Sequence, residues 1–123
     1  MKRIATLDAL KKIIAMTPGL YVRWSRGPKY DKRASRDYLT GGTHAGMSAV
    51  CVDPEWASDD KWLARRVVEY RFLKMKDPAI TCYLYAGAEV GTDSDGYSSI
   101  ATDAKCVAKL TEDLIERLVE LRG

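Results

Sequence analysis

The chain has 123 residues, of which 46% are hydrophobic and 30% are charged. This length predicts one domain, residues 1–123, with a core large enough to fold without disulfide bonds. The composition excludes a disordered or fibrous protein, and no apolar run approaches the ~18 residues of a membrane span. The N-terminus begins like a signal peptide, but Asp8, Lys11 and Lys12 interrupt its apolar stretch. We therefore expect a cytoplasmic protein that does not enter a membrane.

The predicted elements begin with a helix whose apolar residues follow Thr6, a suitable N-cap, and which ends at the Thr17-Pro18-Gly19 stop. Residues 20–26 then alternate β-forming and polar side chains, which predicts a half-buried strand with Arg23 and Ser25 on its outer face. The next predicted elements are a loop over residues 27–46, a strand over 47–52 and a helix over 54–76 that can break near Ser58. The last part of the chain is predicted to form a strand over 80–90, a turn over 91–99, a weaker strand or coil to about residue 109, and a helix capped by Thr111.

This order of elements predicts the α+β class. We expect a single small domain in which a three- to four-stranded antiparallel or mixed sheet packs against about three helices. The predicted loop has roughly twenty residues, a length that is uncommon in a compact domain unless the loop is functional or disordered.

Positive charge is concentrated in the first third of the chain. Residues 1–40 contain ten basic and three acidic side chains, whereas residues 41–123 are net acidic, and the whole chain carries +3. The asymmetry favours either a surface that faces an anionic partner or two surfaces that attract each other within the fold.

The three cysteines, Cys51, Cys82 and Cys106, are far apart and form no CxxC pair. A zinc site needs about four ligands at characteristic spacing, and His44 is the one histidine of the sequence. We therefore expect no metal and no cofactor, and three reduced cysteines that act as small apolar residues. Reduced cysteines agree with the expected cytoplasmic location.

Residues 21–42 interleave cations with aromatic side chains. The cations are Arg23, Arg26, Lys29, Lys32, Arg33 and Arg36, and the aromatic residues are Tyr21, Trp24, Tyr30 and Tyr38. Guanidinium groups bind phosphates and carboxylates through paired hydrogen bonds, and aromatic faces stack on bases or on guanidinium groups. The segment favours an anionic partner, which could be a nucleic acid, a nucleotide or an acidic protein surface. The alternative is a solvated loop whose arginines stack on its own aromatic rings and pair with Asp31 and Asp37.

The same loop brings Ser35, Arg36, Asp37 and His44 within ten residues of one another. These are residue types of nucleophilic catalysis, but a catalytic triad is assembled from distant elements, and no GxSxG turn is present. Ser35 is more typical of a turn residue that bonds the backbone near Asp37. The GxxxxGK[ST] and GxGxxG phosphate-binding patterns are absent as well.

Four segments resemble a small uncharacterised family of bacterial proteins. They are LYVRWSRGP at residue 20, SRDYLTGG at residue 35, HAGMSA at residue 44 and DKWLARRVVEY at residue 60. The resemblance covers residues 20–91 and implies no activity, because the family has none assigned. After Val90 and Gly91 the family has a polar loop with a glutamate, whereas this chain has Asp93 and Asp95 there.

A second similarity is to compact ADP-ribosyltransferase folds, which hold NAD in a split sheet. The resemblance implies an Arg or His on an early strand, a Ser or Tyr at a second position and an acidic residue late in the chain. Arg23, Ser48 and Glu89 match that order. The corresponding alternative function is an NAD-consuming transferase whose three side chains converge on one cleft.

Our leading hypothesis is a non-enzymatic interaction domain, with enzymatic activity left open. Its predicted binding residues are Arg23, Trp24, Arg26, Tyr30, Arg33, Ser35, Arg36, Asp37 and His44, and none is assigned a catalytic or metal-binding role. The arginines would supply charge, and Trp24 or Tyr30 would stack. A third hypothesis is a protein that blocks another protein through the same surface. The partner and the oligomeric state stay open.

Overall fold

The computed structural model of the chain describes residues 1–31, 46–52, 54–92 and 98–123. Its elements are β1 (Lys2–Ile4), α1 (Leu7–Met16), β2 (Leu20–Ser25), β3 (Met47–Cys51), a 3-10 helix (Pro54–Ser58), α2 (Asp60–Val67), α3 (Leu73–Lys76), β4 (Thr81–Ala86), β5 (Glu89–Thr92), β6 (Ser98–Ile100), β7 (Lys105–Leu110) and α4 (Glu112–Leu121).

The strands of the described residues form one mixed sheet in the order β1-β7-β4-β2-β3-β6-β5. β1 runs parallel to β7, and the other neighbouring pairs are antiparallel. β2 and β4 lie at the centre and pair along their whole length, from Leu20 opposite Ala86 to Ser25 opposite Thr81. The start of the basic segment therefore occupies the middle of the sheet.

The predicted α+β class is confirmed, but the predicted three- to four-stranded sheet is wrong. The described residues contain a seven-stranded sheet and four α-helices. The additional strands β1, β5 and β6 are only three or four residues long. A segment this short cannot show a clear alternating pattern, and it becomes a strand only because a neighbour offers hydrogen-bond partners.

Helices α1, α2 and α4 cover one face of the sheet. Leu20, Val22 and Trp24 of β2 join the core on this face. The buried residues that the three helices contribute are Leu10, Ile14, Leu63, Ala64, Val67, Leu114, Ile115 and Leu118. Because side chains alternate along a strand, the neighbouring residues of β2 point to the other face.

The other face holds a second cluster of buried side chains, formed by Tyr21, Met47, Ala49, Tyr83, Tyr85 and Ile100. Because β2 is buried on both faces, the prediction of a half-buried strand over residues 20–26 is wrong. Tyr21 and Ser25 are only 6% and 7% exposed, and Arg23 is half-buried. The alternation of residue types in β2 was correctly identified, but it separates two packed faces rather than a packed face from water.

The predicted helix over residues 54–76 begins at Pro54 and ends at Lys76, but it is divided into three pieces, of which only the break near Ser58 was expected. Asp59 caps α2 by accepting hydrogen bonds from the amides of Lys61 and Trp62, both at 3.1 Å. α2 ends at Val67, whose carbonyl accepts a hydrogen bond from the Trp24 indole at 2.8 Å. The amide of Arg71, the α-helical partner of that carbonyl, bonds Val68 instead.

The first and last helices are confirmed together with their caps. Thr6 accepts a hydrogen bond from the Ala9 amide at 3.2 Å, and Thr111 accepts one from the Leu114 amide at 3.3 Å. Both caps satisfy amides that would otherwise lack a partner at a helix start.

Within the described ranges, no helix combines the length and apolar character that crossing a bilayer requires.

We expect Trp24→Phe to lower the free energy of unfolding by about 1–3 kcal/mol, because the Val67 carbonyl loses its buried donor. For a domain of this size such a loss lowers the melting temperature by several degrees. Trp62→Phe is the matched control, since Trp62 is 45% exposed. Equal melting temperatures for the two variants would contradict a structural role for the indole hydrogen bond.

Candidate functional site

A buried carboxylate organises the face of the sheet opposite the helices. The Asp31 side chain is 3% exposed, and its Oδ1 lies 3.0 Å from Arg23 Nε. Its Oδ2 accepts hydrogen bonds from the hydroxyls of Ser25 and Tyr85, each at 2.5 Å. We name these four residues the Asp31 network.

Strand geometry explains why the partners of Asp31 meet. Arg23 and Ser25 are two residues apart on β2 and therefore share a face. Tyr85 lies on the neighbouring strand β4, opposite Tyr21, whose side chain is on the same face. The Arg23 guanidinium also donates from Nη1 to the Ser48 carbonyl of β3 at 2.7 Å. The Asp31 carboxylate is thus bonded to side chains of β2 and β4, and the Arg23 side chain connects it to β3.

A tight turn brings Asp31 back over the strand that it follows. The amides of Tyr30 and Asp31 both bond the Gly27 carbonyl, at 3.0 and 3.2 Å, and the Gly27 amide donates to Ser25 Oγ at 3.1 Å. Gly27 has a φ of 115°, and a Cβ at this position would lie 2.9 Å from the Tyr83 hydroxyl. Only glycine suits both the backbone conformation and the contact.

The surroundings keep Tyr85 protonated. Burial raises the pKa of Tyr85 far above its usual range, and the hydrogen bond to Asp31 raises it further. Burial also raises the pKa of the neighbouring Tyr83. A neutral Tyr85 can donate to the carboxylate, and Arg23 supplies the compensating positive charge. Because both oxygens of Asp31 are engaged, the network is an anchor for the turn rather than a free acid or base.

The anchored turn places its remaining side chains at the surface. Tyr30 is 65% exposed, and Lys29 is exposed beside it. The Arg26 side chain is 56% exposed and forms an ion pair of 2.5 Å with Asp77. The same hydrogen bond lowers the pKa of Asp77, with a further contribution from the Ala79 amide. Arg26 thereby joins the turn to the C-terminal end of α3.

Four of the predicted binding residues lie in the described part of the chain, and they fall into two groups. Arg26 and Tyr30 lie at the surface, whereas Arg23 belongs to the Asp31 network and Trp24 is 6% exposed in the helix-side core. Trp24 is therefore not positioned to stack on a ligand. The other predicted binding residues, Arg33, Ser35, Arg36, Asp37 and His44, lie outside the described residues.

The three residues of the transferase hypothesis do not converge. Arg23 points to the face of the Asp31 network, and it contacts the main-chain carbonyl of Ser48. The Ser48 side chain leaves β3 on the face opposite that of Met47 and Ala49, because strand side chains alternate. Glu89 is exposed on β5, which is the edge strand beyond β6. In the described ranges no three Cys, His, Asp or Glu residues cluster as metal ligands would.

The sequence does not identify Asp31 and Tyr85 as members of one network. Its pattern predicts Asp31 as an ion-pair partner within a solvated loop and Tyr85 as part of a strand. The available signal was the shared face of Arg23 and Ser25, two polar residues in a strand that otherwise consists of apolar and aromatic residues. Polar side chains at alternate positions of a central strand indicate a buried polar partner.

The chain belongs to a family of unknown function, DUF6098, whose pattern matches residues 1–121. The match confirms membership of a family without an assigned activity, and it covers residues 20–91, where the motifs lie. A bacterial origin stays a prediction. Neither a curated protein nor a solved structure matches this chain.

We expect Asp31→Ala to lower the free energy of unfolding by about 3 kcal/mol, because it leaves a half-buried guanidinium and two hydroxyls without their acceptor. Chemical denaturation measures the loss. Asp77→Ala removes the ion pair with the exposed Arg26, and we expect a much smaller change there because water screens the pair. Similar losses for both variants would show that the Asp31 network is no stronger than a surface ion pair.

Stability should also fall in alkali. The unfolded chain releases the Tyr85 proton near the ordinary tyrosine pKa of 10.0, whereas the folded chain retains it. Above that pH the unfolded state binds fewer protons, so the free energy of unfolding falls by up to about 1.4 kcal/mol per pH unit. Chemical denaturation at a series of pH values should show a shallower slope for Tyr85→Phe between about pH 10 and pH 11.5. A parental slope in Tyr85→Phe would contradict this expectation.

Proposed function

We propose that this protein is an interaction domain that binds an anionic partner through a basic surface at one end of the sheet. The surface, here named the turn surface, consists of Arg26, Lys29, Tyr30, Met75 and Lys76. The supporting observation is the anchoring of Asp31 beneath the turn. An anchored turn holds Tyr30, 65% exposed, in place before a partner arrives, which reduces the entropy lost on binding.

The α3 segment extends the turn surface. Asp77, the partner of Arg26, directly follows Lys76. Met75 is 84% exposed, and Phe72, which precedes α3, is 48% exposed. Residues three apart share a face of a helical turn. Through its ion pair with Asp77, Arg26 joins the turn that carries Tyr30 to the end of α3, the helix that carries Met75.

The charge of the turn surface favours an anion. Among the described residues no carboxylate pairs with Lys29 or Lys76, and both are exposed. Lys74, the other lysine of α3, does have a carboxylate partner, because it is bound to Glu112 of α4. Two carboxylates directly follow members of the surface, and each is paired: Asp31 with Arg23 and Asp77 with Arg26.

The apolar members of the surface favour an acidic protein segment over a nucleic acid. Exposed methionine and aromatic side chains are typical of surfaces that bind apolar residues of other proteins. Single-stranded nucleic acids are bound by several stacked aromatic rings, and of the two stacking candidates only Tyr30 is exposed. The partner we propose is an acidic segment with interspersed apolar residues, whose carboxylates meet Lys29 and Lys76.

Fluorescence anisotropy with three labelled probes tests the proposal. The probes are an acidic peptide with interspersed Phe and Leu, an all-glutamate peptide of equal charge, and oligothymidylate. We expect the first to bind most tightly, and Tyr30→Ala and Met75→Ala each to weaken its binding about tenfold. Lys29→Ala should weaken both peptides, since it removes a charge that they share.

Lys12→Ala is the matched control, because Lys12 is an exposed lysine on α1, away from the turn surface. It should leave affinity for the mixed peptide unchanged within about twofold. Preferential binding of oligothymidylate, with log affinity falling by about 0.7 per phosphate contact against log salt, would identify a nucleic-acid partner instead. Absence of binding by all three probes at low salt would overturn the proposal.

A further inference from the structure

A second cluster of cations lies at the opposite edge of the sheet from β5. β1 is the edge strand there, and its Arg3 lies directly beside Lys109 of β7. Lys109 in turn lies opposite Tyr83 of β4. Arg3, Lys109 and Tyr83 thus form a row across three strands, on the face away from the helices.

Two members of the row, Arg3 and Lys109, also line a groove of about 170 Å³, which we name the edge groove. Its lining residues are Arg3, Lys109, Leu110, Thr111 and Glu112. The walls are held by main-chain bonds, since Ile4 pairs with Leu110 and its carbonyl accepts the Thr111 amide at 3.0 Å. A groove with a fixed backbone keeps its shape when it is empty.

The edge groove is lined by more positive than negative charge. Like charges that lie opposite each other on neighbouring strands destabilise a sheet, and Arg3 and Lys109 are such a pair. Within the described residues neither has an ion-pair partner. Glu112 is the one acidic residue of the lining, and its carboxylate is bound to Lys74. The Thr111 hydroxyl caps α4 by accepting the Leu114 amide, so the positive charge of the groove comes from side chains.

We propose that the edge groove binds a phosphate group. A phosphate carries enough charge to compensate both cations at once, and its oxygens match the paired donors of a guanidinium and the point charge of an ammonium group. The groove is of a size for one such group with a small substituent, rather than for a dinucleotide. This binding site lies at the ends of β1 and β7 and shares no residue with the turn surface.

Isothermal titration with inorganic phosphate, glycerol phosphate and chloride at constant ionic strength tests the proposal. We expect saturable binding of phosphate and none of chloride. Stronger binding of glycerol phosphate would identify a phosphomonoester as the ligand, and equal binding would identify the free ion. Amide NMR signals of Arg3 and of residues 109–112 should shift on titration.

Lys109→Ala and Arg3→Ala should each weaken phosphate binding about tenfold. Lys105→Ala is the matched control, because it removes an exposed lysine from the same strand outside the groove, and it should change affinity less than about twofold. Equal weakening by all three variants would indicate general charge attraction and overturn the proposal.

Edge cations can also serve to prevent pairing between sheets of different molecules. If phosphate does not bind and Arg3→Ala and Lys109→Ala only increase self-association in sedimentation velocity, the pair has that protective role and the proposal is wrong. Retention of the parental melting temperature in both variants excludes misfolding as the cause of lost binding.

Discussion

The buried carboxylate of Asp31 is the interaction on which the second face of the sheet depends. A carboxylate with a 3% exposed side chain is tolerated only when its charge and its lone pairs are engaged. Arg23, Ser25 and Tyr85 meet both requirements, and they come from the two central strands. The chain after β2 is therefore bound to the sheet by its own side chain within six residues of Ser25.

The two faces of the sheet are stabilised in different ways. The helix-side face is apolar and is stabilised by burial, with Leu20, Val22 and Leu84 each at most 1% exposed. The other face combines Tyr21, Tyr83 and Tyr85 with the Asp31 network. Buried polar networks are specific in geometry, because each member must find its partner. The apolar face thus supplies most of the stability, and the polar face determines where the turn of residues 27–31 lies.

Much of the fold could be predicted from local signals. α1, α4 and their threonine caps follow from helical spacing and a cap residue, and β2 follows from alternation. β1 could not be predicted, because three residues hold too little pattern and its partner β7 is distant in sequence. The predicted strand over residues 80–90 covers β4 and only the first half of β5. The end of α2 could not be predicted either, because the side chain that bonds the Val67 carbonyl is that of Trp24, which is distant in sequence.

The candidate site was predicted in composition but not in arrangement. Residue types indicated a basic and aromatic segment correctly, but only tertiary contacts decide which members are buried. Arg23 lies over an aspartate and a strand carbonyl, whereas Arg26, three residues later, lies beyond the end of the strand and at the surface. The sequence distance between them is too small for composition to distinguish their roles.

The uneven distribution of charge along the chain favours two hypotheses, attraction between two surfaces within the fold and a surface that faces an anionic partner. Lys11 and Arg26, from the basic first third, pair with Asp60 and Asp77 of the acidic remainder. Those pairs are the attraction of two surfaces within one fold. Arg3 and Lys29 form no such pair among the described residues. These two cations lie at the edge groove and at the anchored turn, the two surfaces for which we propose anionic ligands.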